Sequence, residues 1–290
     1  MKWLLLILIL AVVYVIWQKQ ELKKFAVTHY EVDSAKIKEP LTLVVVSDFH
    51  CHNYGEKNEW LVRAVKESRP DLILVPGDMI VSAKTEEYPV ALAFFRELTQ
   101  IAPVYFANGN HESRIDVPES PYYDAYQQYK EKVQSLGVTA LNNEQKTITC
   151  KGNTLTLYGV DIPVECYKKG ERVPLPEHFL SDTFGTVDRE HFSILLAHNP
   201  AYAKDYAGWG ADITVSGHTH GGLVRIPGIG SLISPQFELF PDYDAGEFTI
   251  GGRKIFVSRG LGTHTFHIRV FDRAELMVIQ LKNTTSSGKE

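Results

Sequence analysis

Two imidazoles two residues apart and boxed by glycines, Gly217-His218-Thr219-His220-Gly221-Gly222, form the stretch on which any chemistry of this chain would turn. A tight turn can splay such a pair toward different targets while the glycines keep the backbone close to whatever is held. Taken alone, the segment reads as a pair of ordinary loop histidines. Its apolar lead, Ile213 and Val215, gives it company. Leu41 to Val46 stops at Asp48 and His50, Leu72 to Val75 at Asp78, Val104 to Phe106 at Asn110 and His111, and Phe192 to Leu196 at His198. Short β-branched runs bounded by Gly, Pro and Asn read as buried strands, and polar residues at their C-terminal ends would share one edge of a sheet.

The donor set is oxygen and nitrogen without a thiolate, which suits Mn²⁺, Fe, Zn²⁺ or a similar divalent ion over soft copper. Seven donors are too many for one ion with an open position. A carboxylate shared between two ions about 3.5 to 4 Å apart solves the count, with a hydroxide between them as nucleophile. Phosphorus is then the natural target, because two cations can hold non-bridging oxygens and neutralise charge in an in-line displacement. Each residue has a plainer reading: Asp48 as a cap, Asp78 as a turn residue, Asn110 as a left-handed turn residue, His198 as a satisfied histidine at a strand end. Together those readings leave seven donors at strand ends unexplained.

The elements that must position these groups alternate. Phe25 to Glu39 is expected to be a strand-bearing connector, Asn58 to Ser68 a helix closed by Pro70, and Pro89 to Thr99 a second helix, giving β-α-β units of a parallel sheet. A helix is expected to end at Gly137. Its tyrosines, Tyr122, Tyr123, Tyr126 and Tyr129, fit either a substrate-facing lid or packing against the sheet. Lys146 to Cys150 and Thr154 to Val160 read as a hairpin joined by Lys151-Gly152-Asn153, which makes the second sheet mixed. A polar connection follows from Asp161 to Glu190, then a short helix around Ala201 to Ala207, and C-terminal strands in Gly246 to Val257 and Ile268 to Gln280.

With 290 residues, 44% of them hydrophobic, and no compositional break, the chain reads as one catalytic domain (25–282) behind an N-terminal membrane anchor (1–24), with a disordered tail (283–290). A net charge of -5 and no Lys/Arg block argue against nucleic acid as the main partner. Cys51, Cys150 and Cys166 lack CxxC spacing and indicate neither a zinc knuckle nor a disulfide framework. Trp3 to Trp17 is continuously apolar and ends without the small-residue site of a cleaved signal peptide, so a single-pass signal anchor is expected. The α-amino group and Lys2 oppose Lys19, Lys23, Lys24 and Glu21 across it, which slightly favours a cytoplasmic catalytic domain; the very short N-terminal tail on an export-like segment pulls the other way, and an extracytoplasmic catalytic domain is expected. A monomer is expected.

In this order, Asp48-x-His50, Gly77-Asp78, Gly109-Asn110-His111-Glu112, His198 and Gly217-His218-Thr219-His220 resemble the calcineurin-like metallophosphoesterase superfamily, specifically its small membrane-associated bacterial branch. The similarity runs from about Val32 to Leu281 and includes the Leu223 to Gly228 and Ser258 to Gly262 segments. The resemblance implies an α/β four-layer sandwich of two mixed β-sheets flanked by helices. It implies two divalent metal ions, one held by Asp48, His50 and His220 and the other by Asn110, His198 and His218, with Asp78 bridging. His111 would be the catalytic residue, as general acid or as a transition-state hydrogen-bond donor. Similar proteins include enzymes acting on diacylglucosamine nucleotides, so a lipid-linked or nucleotide-linked phosphate mono- or diester is the candidate substrate. One departure is Val81, where many relatives carry the Asp that orients the catalytic histidine; Glu112 or Asp161 are its candidate substitutes. Arg114 and Asn199 are candidate phosphate contacts, His52 a loop residue, His264 a pocket residue and His267 a strand residue. The alternative is a non-catalytic scaffold that binds a protein partner, although such modules lose ligands or the catalytic histidine and this chain keeps them.

Overall fold

The computed structural model describes residues 2–284 except 223, 227, 235 and 264–266. A helix, α1 (Lys2–Glu21), leads into β1 (Phe25–Asp33) and β2 (Leu41–Val45). Then come α2 (Glu59–Glu67), β3 (Leu72–Val75), α3 (Tyr88–Thr99), β4 (Val104–Phe106), α4 (Asn110–Ser113), α5 (Tyr123–Ser135) and β5 (Thr139–Ala140). The second half contains β6 (Glu144–Cys150), β7 (Asn153–Val160), α6 (Phe179–Phe184), β8 (Phe192–Ala197), α7 (Ala203–Trp209) and β9 (Ile213–Ser216). It closes with β10 (Val224–Ile226), β11 (Gly230–Ile233), β12 (Gly246–Ile250), β13 (Arg253–Val257) and β14 (Ala274–Lys282).

Two six-stranded mixed sheets result, ordered β1-β14-β2-β3-β4-β5 and β12-β13-β9-β8-β7-β6, beside a two-stranded ribbon of β10 and β11. Strands β2, β3 and β4 are parallel, as are β7, β8, β9 and β13. Their apolar runs are continuous because both faces are covered. In β2, Val44 packs outward with Phe94 and Phe95 of α3, while Leu43 and Val45 pack inward against Leu157, Ile194 and Val215 of the other sheet. The outer face of the second sheet is covered by α6 and α7 through Leu180 and Tyr206. The layers are helix, sheet, sheet, helix.

Local departures from the sequence reading have physical causes. The β6–β7 turn has two residues rather than three: Lys151 (φ 47) and Gly152 (φ 74) both take positive φ, as a tight hairpin requires. Asn153 belongs to β7, its side chain accepting the Lys38 N–H and donating to the Glu39 carbonyl. Tyr126 and Tyr129 of α5 are buried in the core beside the first sheet, which settles them as packing residues. The last strand begins at Ala274, not Ile268, because residues 268–273 form a turn with Phe271 at φ 53. His267 accordingly lies outside any strand and is exposed. Of the terminal tail, Asn283 donates to the Ile37 carbonyl, and residues 285–290 lie outside the described residues.

The apolar helix is longer than the Trp3–Trp17 run that announces it. Its 20 residues are exposed from Trp3 to Trp17 and reach about 30 Å at about 1.5 Å per residue, long and apolar enough to span a membrane.

Phe49 lies between two of the candidate ligands and stacks on Phe94, ring centroids 4.6 Å apart, both fully buried. This stack fastens the turn after β2 to α3. Phe94→Ala is therefore expected to cost about 3–5 kcal/mol of stability, read from the denaturant midpoint. A change within ±0.5 kcal/mol would show that the stack does not anchor this turn.

Candidate metal centre

The ligand-type residues arrive from both sheets, not along one sheet edge. Asp48 and His50 follow β2, Asp78 follows β3 and Asn110 opens α4 after β4; His198 follows β8, and His218 and His220 follow β9. The two sheets share an inner core, so the C-terminal ends of their parallel strands face each other at one end of the sandwich. All seven residues are buried, none more than 7% exposed.

Five of them bend the backbone into the left-handed region: Asp48 (φ 50), His50 (φ 46), Asp78 (φ 56), His218 (φ 69) and His220 (φ 52). That conformation costs an L-residue roughly 1–2 kcal/mol, and such strain persists only where the surroundings enforce it. Here the turns after β2 and β3 lock together, the Asp48 and His50 N–H groups donating to the Gly77 and Asp78 carbonyls at 3.1 Å each. Glycine is required by close approach at two points. A Cβ on Gly109 would sit 2.2 Å from Asp78 Oδ1, and one on Gly217 2.2 Å from Asp48 Oδ2.

Backbone carbonyls orient three of the imidazoles. His50 Nδ1 donates to Ile80 O at 3.2 Å, His198 Nδ1 to Pro76 O at 2.7 Å and His220 Nδ1 to Gly262 O at 3.1 Å. A carbonyl can only accept, so each ring carries its proton on Nδ1 and turns the Nε2 lone pair inward. His50 Nε2 and His220 Nε2 are 3.2 Å apart, and His220 Nε2 is 3.5 Å from Asp48 Oδ1. Asp78 Oδ2 lies 3.7 Å from His50 Nε2 and 3.2 Å from His198 Nε2, between the two groups. Buried Asn110 Oδ1 and His218 Nε2 have no hydrogen-bond partner among the described residues. These are acceptors facing acceptors, an arrangement that a cation satisfies and water-free protein does not. Ligand atoms of Asp48, His50 and His220 lie within 4.8 Å of one another, as do those of Asp78, His198 and His218. The donor set therefore fits divalent metal ions.

Electrostatics carry the same message. Burial pushes Asp48 up to about 6. Burial also opposes ionisation of Asp78, but the rings of His198, His111 and His50 hold its carboxyl well below the usual range. For His198 burial disfavours charge, yet the Asp78 and Asp48 carboxylates outweigh it and raise the ring to about 9. The site favours positive charge at its centre.

His111 stands beside this group, its ring 5.0 Å from that of His50 and its backbone N–H donating to Asp78 Oδ1 at 2.9 Å. Neither proposed carboxylate orients it. Glu112 accepts four backbone N–H groups, from Asp78, Met79, Ile80 and Gly109, and so clamps the turn after β3 to α4. Asp161 accepts from Ser113 and Asn108. The partner is Ser82, whose N–H donates to His111 Nδ1 at 3.1 Å while its hydroxyl lies 3.0 Å from the same nitrogen. Sequence reasoning missed Ser82, although it directly follows Val81, where the family's carboxylate is absent. It also missed Ser47, whose hydroxyl donates to Asp48 Oδ2 at 2.6 Å.

The remaining candidates divide. Asn199 is buried and committed, accepting the Ala201 N–H and donating to the Cys166 carbonyl, which makes it a cap. Arg114 is exposed at the end of α4. His52 Nε2 donates to the Leu22 carbonyl at 2.9 Å, and His264 lies outside the described residues.

Residues 41–222 match the family model described as calcineurin-like phosphoesterase. The chain is 27% identical over 246 residues to the uncharacterized metallophosphoesterase YkuE of Bacillus subtilis, covering 83% of this chain and 79% of that one. It is 26% identical over 216 residues to the phosphodiesterase YaeI of Escherichia coli, covering 74% and 72% respectively. Among solved structures it is similar to the phosphopantetheinyl hydrolase PptH of Mycobacterium tuberculosis, with 15% identity, 74% and 88% of the two chains covered and a TM-score of 0.47. The family match embraces every strand end that delivers a ligand-type side chain to the buried centre, and the chain belongs to the calcineurin-like phosphoesterase family as a metal-dependent hydrolase of phosphoric esters.

Proposed function

We propose that the chain is a binuclear phosphoesterase that cleaves a phosphate mono- or diester, with Asp48, His50 and His220 holding one divalent ion, Asn110, His198 and His218 the other, and Asp78 shared. The observation that carries this reading is the position of Asp78 Oδ2, 3.7 Å from His50 Nε2 on one side and 3.2 Å from His198 Nε2 on the other. Two ions bound there would supply a nucleophile from water at neutral pH and Lewis acidity toward the phosphoryl oxygens.

The protein's own part is orientation and hydrogen bonding. Carbonyls of Ile80, Pro76 and Gly262 fix the ligand tautomers, and the Ser47 hydroxyl and His218 N–H fix the two oxygens of Asp48. Because Ser82 N–H donates to His111 Nδ1, the proton of that ring sits on Nε2. An Nε2–H donor of this kind stabilises charge growing on a phosphoryl or leaving-group oxygen, and the Ser82 contact favours that role over full proton transfer. The apolar α1 is read as an anchor that keeps the site at a membrane, with a lipid-linked ester as the candidate substrate.

Three outcomes are expected. Asp78→Asn should lose metal at both positions together with activity, whereas His111→Ala should keep its metal and turn over an aryl phosphomonoester or phosphodiester about 10² slower in Mn²⁺. Equal metal loss in both variants, measured by elemental analysis, would overturn the division of roles. His111→Gln, which keeps an N–H donor, should retain more activity than His111→Ala, and the opposite order would speak for an acid. Finally, because the Asp78 and Asp48 carboxylates raise His198 despite its burial, Mn²⁺ binding should release protons and strengthen as pH rises. Calorimetry in buffers of differing ionisation enthalpy reads this directly, and a pH-independent affinity would contradict it.

A further inference from the structure

The polar end of α1 does not trail from the domain as a tether would. Gln18 is 5% exposed and Glu21 8%, while the apolar residues before them are bare. Gln18 Nε2 donates to the Arg269 carbonyl at 3.1 Å and its Oε1 accepts the Arg269 N–H at 3.0 Å, a strand-like clasp made by one side chain. Arg273 Nε pairs with Glu21 Oε1 at 2.8 Å. Both contacts fall on the 268–273 turn. The same turn reaches the metal centre: the Arg269 guanidinium donates to Gly260 O at 3.0 Å and Gly262 O at 2.9 Å, and Gly262 O also receives His220 Nδ1. A second link runs from Leu22 O to His52, two residues beyond His50.

That turn also presents apolar side chains to the outside. Ile268 is 38% exposed and Phe271 67%, and Phe271 holds φ 53. A turn needing left-handed backbone is served by Gly or Asn, so a bare phenylalanine there is costly twice over, in strain and in exposed surface. The membrane level on α1 is marked by Tyr14 and Trp17, then by Lys19, Lys23 and Lys24, the aromatic-then-basic order of an interface. Gln18 lies at that level and touches Arg269, two residues from Phe271.

We propose that the C-terminal turn of α1 and the 268–273 turn form one membrane-seated edge, Ile268 and Phe271 dipping into the interface beside the helix, so that the metal centre works on phosphoesters carried in the lipid headgroup layer. The choice of substrate rests on the phosphoesterase reading above; the seating does not. A lipid surface is favoured over a protein partner because the Gln18–Arg269 clasp joins the patch to the uncovered apolar run Trp3 to Trp17 of α1.

The test uses the full chain in phosphatidylcholine vesicles. With Cys51 and Cys166 buried, Phe271→Cys in a Cys150→Ser background takes an environment-sensitive dye at one site. Its emission should shift to the blue on reconstitution and be quenched by brominated acyl chains. Asp tolerates left-handed backbone, so Ile268→Asp with Phe271→Asp should fold. That variant should hydrolyse a long-chain alkyl aryl phosphate in vesicles about tenfold more slowly while retaining the wild-type rate on a soluble diaryl phosphate. A dye that stays in water, or one already blue without lipid and untouched by the brominated chains, as at a protein interface, overturns the seating. Equal rates of variant and wild type on the vesicle ester overturn the substrate class. Quenching is read whether or not either ester is cleaved, so a wild-type chain inert on both counts against the phosphoesterase reading alone.

Discussion

Lone pairs of three imidazoles and the oxygens of two carboxylates are held 3.2 to 3.8 Å apart in a buried space, and the rest of the structure is arranged to keep them there. Such a gathering of acceptors is unfavourable without positive charge at its centre. Divalent ions would meet that demand. The five left-handed ligand-type residues show what the scaffold bears to hold this geometry, with the inner core between the sheets behind them. A single sheet edge could not assemble the set. Two sheets sharing a core can, since each delivers strand ends to the same face from opposite sides.

The division of labour among the motif residues differs from their nearness in sequence. His111 and Glu112 are adjacent, yet one turns toward the centre and the other turns back to take four N–H groups of the loops that bear Asp78 and Gly109. Glu112 is thus a builder of the site. With Val81 unable to accept or donate, Ser82 supplies the contact to His111 Nδ1, and its backbone N–H fixes which nitrogen carries the proton. A carboxylate at that position would have drawn the proton to Nδ1 instead. In the proposed phosphoesterase, the difference bears on whether the ring would act as an acid or as a hydrogen-bond donor.

The apolar helix belongs to the same construction. Arg269 links its Gln18 to the carbonyl that orients His220, and Leu22 accepts from the loop that carries His50. Two ligand loops therefore lean on the end of α1. Displacement of that helix would be felt at the ligands through hydrogen bonds, with no intervening flexible linker.

What the residues by themselves determined was the strands that deliver the donors, their parallel grouping and the identity of the buried donors; the short β5, β10 and β11 carry too little pattern to be read. Strands β2, β3, β4, β8 and β9 are short runs buried on both faces, and each is followed by a side chain that can hold a cation, patterns that are local and need no partner to be read. The hairpin register at Lys151-Gly152, the start of β14 and the fate of the tyrosines were less legible, because they depend on which backbone conformation the neighbours enforce. Only tertiary structure decided that the donors come from two sheets, that Ser82 and not Glu112 or Asp161 meets His111, and that the 268–273 turn joins the helix to the centre. Those contacts cross from about 30 to 250 residues of chain, a separation at which local pattern carries no information and shape alone selects the partner.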